Sequence, residues 1–187
     1  MATPESPQSR RRTVRPLDPA RLEELALAYV ARFSVPAGKF RAYLNRKLRE
    51  RGWAGEGAPP VDALVDRFVA AGYIDDAAWA AWKSESLLRR GYGQRRVAQA
   101  LGAAGIDEAL RMDLRAGEAE ARAAALRLAQ RRGFGPFGKA LPDREQRERQ
   151  LAAMLRAGHR LDTARDVVDA ATIEAVEEWA MTAGIGE

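Results

Sequence analysis

The chain has 187 residues, 47% of them hydrophobic, so it has the length and the apolar content for one compact domain, two small ones or a short repeat array. It contains no cysteine, which excludes disulfides, cysteine-based zinc sites and a thiol nucleophile. The net charge is +5, and of 31 basic residues only four are lysine (39, 47, 83 and 139), a bias toward guanidinium groups that grip phosphate or carboxylate with two prongs.

Residues 1–17 are rich in Pro, Ser and Arg and carry no apolar period, which predicts a disordered basic tail. Order is expected from Asp18-Pro19, an N-cap followed by proline at the first helical position. Leu22, Leu25, Ala26, Tyr29, Val30 and Phe33 then recur at helical spacing. Pro36 opens a segment carrying Phe40, Tyr43, Leu44 and Leu48, stopped by Gly52. A Gly/Pro loop over 55–60 precedes Val61, Leu64, Val65, Phe68 and Val69, stopped by Gly72. Asp75-Asp76 precedes a helix with Trp79, Trp82, Leu87 and Leu88 that stops at Gly91. Val97, Leu101 and Ile106 mark the next helix, with its stop at Gly105. Leu110 and Leu114, Leu126 and Leu128, residues 151–157, Val167 and Val168, and Ile173, Val176 and Trp179 mark further helices. The stretch 133–142 reads as a hinge or linker loop. No alternating run of β-branched residues suggests a strand.

Three helix ends share one punctuation: Leu48-x-x-x-Gly52-Trp53, Leu101-x-x-x-Gly105-Ile106 and Met154-x-x-x-Gly158-His159, with the glycines every 53 residues. This period predicts an all-α fold of tandem three-helix repeats forming an elongated or curved array. The expected boundaries are 18–72, 73–116 and 117–172, followed by an acidic C-terminal helix or tail over 173–187. In this register Ala100 and Ala104, and again Ala153 and Ala157, stand where the first repeat has Lys47 and Arg51. Those two cations either snorkel at the end of a terminal repeat or present an open basic face to a partner.

Charge is distributed unevenly. Residues 39–51 hold six cations and one acid, residues 89–96 hold four Arg and no acid, and residues 162–187 hold seven acids and one Arg. A basic front and an acidic tail imply an oriented electrostatic surface. Arg89-Arg90-Gly91-Tyr92-Gly93-Gln94-Arg95-Arg96 is the densest feature: four guanidinium groups flank a Gly-Tyr-Gly turn between helices. It reads either as a solvated turn with Tyr92 packed inward or as a contact for phosphate or acidic protein.

Catalytic chemistry is hard to place. His159 is the one histidine, with no second ligand or nucleophile near it in sequence, and in repeat register it should sit half-buried after a helix stop. Asp75-Asp76 is expected to cap a helix rather than bind a cation. The glycines over 133–138 lack the Lys-Ser/Thr ending of a phosphate loop. The expectation is therefore no enzyme activity, no cofactor and no metal. No apolar run approaches a membrane span and no signal-like leader stands at the N-terminus, so a cytoplasmic location is expected.

Two segments, Ala71-Gly72-Tyr73-Ile74-Asp75-Asp76-Ala77-Ala78-Trp79-Ala80 and Arg89-Arg90-Gly91-Tyr92-Gly93-Gln94-Arg95-Arg96-Val97, resemble the bacterial RecX regulatory family in order and spacing. Leu44-Asn45-Arg46-Lys47-Leu48-Arg49-Glu50-Arg51-Gly52 is similar to that family's basic helix ending in glycine. The chain departs from the pattern at Gln94, where many members have proline, at Val35-Pro36-Ala37, and at Ala157-Gly158-His159, where Arg-Gly-Phe is common. The resemblance spans roughly residues 20–172. It implies binding to the recombinase RecA, above all to RecA filaments on single-stranded DNA, as a monomer that limits filament growth, ATP hydrolysis and strand exchange in DNA repair and recombination. The residues it points to are Arg46, Lys47, Arg49 and Arg51 with Arg89, Arg90, Tyr92, Arg95 and Arg96. Direct nucleic-acid contact would then be weak and non-specific. Two other readings compete: a helix-turn-helix-like regulator that binds duplex DNA directly, and a helical adaptor for another acidic protein.

Overall fold

The structure is a computed structural model that describes residues 15–183. The chain is all-α, with ten helices among the described residues: α1 Pro19–Val30, α2 Ala37–Arg51, α3 Val61–Ala70, α4 Asp76–Arg89, α5 Gln94–Gly102, α6 Glu108–Asp113, α7 Glu118–Arg132, α8 Arg144–Arg156, α9 Leu161–Val168 and α10 Ile173–Met181.

The first compact unit is built from the chain up to Ser34 with Phe40–Tyr73. Asp18 caps α1 by accepting from the Arg21 amide at 2.9 Å. Leu22, Ala26, Phe40, Leu44, Val65 and Phe68 are buried at helical spacing, and the Phe40 and Phe68 rings meet at 5.3 Å. Leu17 corrects the expected start of order. It is fully buried and forms an isolated parallel bridge with Trp53: its amide donates to Gly52 O at 3.0 Å and its carbonyl accepts from Ala54 N at 2.8 Å. A leucine alone amid Pro and Arg gives no periodic signal, because its partner lies on the far side of a helix stop. The rest of the predicted tail, residues 1–14, lies outside the described residues.

The second unit takes Val35–Lys39 and the chain from Ile74 onward. One core cluster joins Trp79, Ala80, Leu87, Leu88, Val97, Leu101, Ala104 and Ile106 with Ala124. Another joins α7, α8, α9 and α10 through Ala125, Leu128, Leu151, Met154, Ala164, Val167, Val168 and Val176. Trp82, placed with the apolar residues of α4 by spacing, is 57% exposed. The buried face of α4 is centred on Ala80, Ser84 and Leu87, and Trp82 projects from the opposite side of the wheel.

The 53-residue period has a geometric cause. Gly52, Gly105 and Gly158 all adopt left-handed φ values, +83°, +81° and +97°, each just past the end of its helix. The stretch 133–142, read as a hinge or linker loop, is a loop with one short turn in it. A 3-10 turn over Gly135–Phe137 leaves Phe134 and Phe137 packed on the second core cluster, and the Gly135 amide donates to Gln150 Oε1 at 2.8 Å.

Candidate functional site

In the first unit, the C-terminal half of α2 carries four of the predicted residues. Arg46, Arg49 and Arg51 are exposed, while Lys47 is half-buried and reaches Glu50 Oε2 at 2.6 Å. Arg46 lies 3.8 Å from the same carboxylate. The Lys47 hydrogen bond, then the charges of Lys47, Arg46 and Arg49, hold the Glu50 carboxyl below its usual range. Arg46 and Lys47 also stand 5.6 and 5.9 Å from the Tyr43 ring centre. Lys47 is thus engaged on its own helix, whereas Arg49 and Arg51 have no ion-pair partner among the described residues.

In the second unit, the turn between α4 and α5 carries the other five. Arg89, Arg90, Arg95 and Arg96 are all exposed, and Tyr92 is half-buried against the core cluster of α4 and α5. Arg89 pairs with Glu85 at 2.8 Å, one helical turn back. Arg90 stacks over the Tyr92 ring at 5.4 Å, and Arg96 donates to Gln99 at 3.0 Å. Tyr92 therefore uses its ring both to fill the core edge and to hold a guanidinium.

This turn is clamped from below by the glycine stop after α8. The Gly93 amide donates to Ala157 O at 2.9 Å, and the Arg95 amide donates to Gly158 O at 3.1 Å. A methyl group on Gly93 would overlap the Gly158 backbone, so only glycine admits the approach. His159, just past that stop, is buried rather than half-buried, and its Nε2 sits 3.0 Å from Gly91 O. A carbonyl only accepts, so Nε2 carries the proton and donates. Burial pushes the imidazole pKa below its ordinary 6.5, and the bond to Gly91 opposes that only in part. The same approach recurs at the first turn of α2: a Cβ on Gly38 would lie 2.6 Å from Ala104 O and 2.8 Å from Gly105 Cα.

Three supporting residues escaped the sequence reading. Asp75 caps α4 as expected, accepting from Ala78 N at 2.8 Å, but Asp76 accepts from Ala37 N at 2.8 Å and so caps α2, 39 residues upstream. Lys39 places its ammonium 5.0 Å from the Trp79 ring centre. Gln94, where the RecX pattern favours proline, accepts from Ala116 N at 3.1 Å and ties α5 to the α6–α7 connection. Only the adjacency of Asp75 and Asp76 hinted at a second duty, since one helix start needs one cap. Among the described residues there is no cluster of three metal-ligating side chains, and no helix is long and apolar enough to cross a membrane.

The chain is 32% identical over 164 residues to regulatory protein RecX of Myxococcus xanthus (strain DK1622), a match covering 83% of this chain and 88% of that protein. This chain belongs to the RecX family. Regulatory protein RecX of Thermus thermophilus is 35% identical over 130 residues, covering 62% of this chain and 87% of its own. A crystal structure of regulatory protein RecX shares the fold, with a TM-score of 0.61 at 18% identity over 81% of this chain and 71% of that one. No protein-family model matches the chain. The two segments that first suggested RecX are thus the two ends of α4, one carrying the paired caps and the other the clamped arginine turn.

Proposed function

We propose that this protein binds RecA and RecA filaments on single-stranded DNA and restrains filament growth, ATP hydrolysis and strand exchange, acting as a monomer in the cytoplasm. Membership of the RecX family supports the reading, and one observation carries it: four exposed guanidinium groups ride on a turn held rigid by Gly91, Gly93 and the segment after α8. A preorganised cationic turn loses little entropy on meeting an acidic protein surface or a phosphate, so its charge converts efficiently into binding. Arg46, Lys47, Arg49 and Arg51 supply a second cationic surface on α2. The described residues hold no catalytic constellation in the reading, and the protein acts by occupying its partner.

The test is a variant with Arg89, Arg90, Arg95 and Arg96 all changed to Ala. All four side chains are exposed and, among the described residues, only Arg89 forms an ion pair, a surface one of small worth, so the fold is retained. Co-sedimentation with RecA filaments should fall at least tenfold in affinity, with unchanged circular dichroism. Undiminished binding by the folded variant would overturn the assignment of this turn as the contact.

A further inference from the structure

The first unit contains a cleft of about 490 Å³ that shares only Arg51 with the cationic clusters above. Its floor is a stack of aromatic rings: Tyr29 lies face to face with Tyr43 at 3.7 Å, 9° from parallel, and Phe33 meets Tyr29 at 5.2 Å. Arg21, Arg32 and Arg51 stand on its walls, with Glu24 as the one carboxylate. Arg21 is engaged by Asp18 at 3.2 Å, while Arg32 and Arg51 are exposed and have no ion-pair partner among the described residues; the Arg32 guanidinium stands 5.9 Å from the Phe33 ring centre.

Phe33 is the telling residue. Sequence spacing puts it on the apolar stripe of α1, yet the helix ends at Val30 and the ring is 51% exposed at the mouth of the cleft. The repeat register adds a second argument. Tyr43 is replaced by Arg96 and then Arg149 at the 53-residue period, and Arg51 by Ala104 and Ala157. The helical packing that recurs through the chain therefore requires neither a tyrosine nor an arginine at these positions, and the first unit alone combines them.

We propose that this cleft is a nucleotide site for single-stranded nucleic acid, in which one base stacks on Phe33 against the Tyr29–Tyr43 pair and flanking phosphates meet Arg32 and Arg51. A half-exposed ring, beside an exposed guanidinium that a phosphate can draw off it and a second one with no carboxylate partner among the described residues, matches a strand whose bases are unstacked and whose phosphates are spaced along a backbone. A duplex buries its base faces and cannot use Phe33. An acidic peptide would answer the arginines and leave the open ring without a planar partner. The site shares Arg51 with the α2 surface of the RecA reading but is tested apart from it, because the cleft holds the strand whether or not RecA is present.

The experiment uses the full chain without RecA and fluorescence anisotropy of a labelled oligothymidylate, with an abasic strand of equal length and charge as the control. The thymidylate strand should bind about tenfold more tightly than the abasic one. Phe33→Ala should remove that difference and leave abasic binding unchanged. Arg32→Ala with Arg51→Ala should lower the slope of log affinity against log salt by about 1.4, two phosphate contacts at about 0.7 each. Both changes fall on exposed side chains, and circular dichroism confirms that each variant is folded. Equal affinity for the two strands, no effect of Phe33→Ala, or displacement by poly-glutamate as readily as by unlabelled strand would each overturn the proposal. Displacement by thymidine monophosphate as effective as by the strand would overturn the strand as ligand.

Discussion

Asp75 and Asp76 are neighbours with different clients: Asp75 caps its own helix and Asp76 caps α2. Removing either carboxylate leaves a helix-start amide without its acceptor, which costs about 1 kcal/mol. Asp76→Ala should therefore lower the urea unfolding free energy by about that amount, and Asp76→Asn, which keeps an oxygen, should lower it much less. His159 gives a pH signature. Its folded pKa is depressed by burial, so the unfolded chain takes the proton more readily. Its contribution to stability is complete above pH 6.5 and is lost as the pH falls from there through the lowered folded value. The urea midpoint should thus drop between pH 7.5 and pH 5, and His159→Leu should flatten that drop while lowering the midpoint at pH 7.5 through the unpaired Gly91 carbonyl. At this scale the sequence was legible wherever the partner is local, as with Asp18 and Asp75. It did not show the partners of Asp76 and His159, which lie 39 and 68 residues away and are set by how helices pack.

Glycine positions organise the elements. The stops at Gly52, Gly105 and Gly158 were readable because a left-handed residue after a helix leaves a strong one-letter mark, and their equal spacing exposed the repeat. What those stops dock against was not readable. Gly93 lies on the Gly158 backbone, Gly38 on that of Ala104 and Gly105, and Leu17 takes the Gly52 carbonyl that Arg95 takes at Gly158. We propose that this shared docking is what defines the repeat boundaries at 18–72, 73–116 and 117–172, with Leu17 making the contact at the first repeat. Gly93→Ala should destabilise the protein by about 1–3 kcal/mol, as overpacking against a fixed backbone does. By contrast Gly117→Ser, at the N-cap of α7 with open space around it, should be neutral or slightly stabilising in the same urea titration. In the loop over 133–142, Gly and Pro signal the turn without saying whether its two Phe residues face solvent or core. Trp82 and Phe33 fail in the opposite sense, since apolar spacing alone does not reveal where a helix ends or which face it buries.

For the whole molecule, the all-α fold and the family followed from composition, period and two segments around α4. The functional surface was only partly readable. The charge runs located the cations, but the sequence could not separate the ion-paired Arg89 and Lys47 from Arg49, Arg51 and Arg95, which have no ion-pair partner among the described residues. That difference rests on acids one turn away and on the rotamers that reach them. The measurement bearing most directly on the proposed function is single-stranded-DNA-dependent ATP hydrolysis by the cognate RecA, titrated with this protein at fixed salt. The account predicts inhibition at well below one molecule per RecA, because a regulator that stops filament growth acts on many subunits at once. Unchanged hydrolysis at every ratio, with the protein shown to be folded, would contradict it.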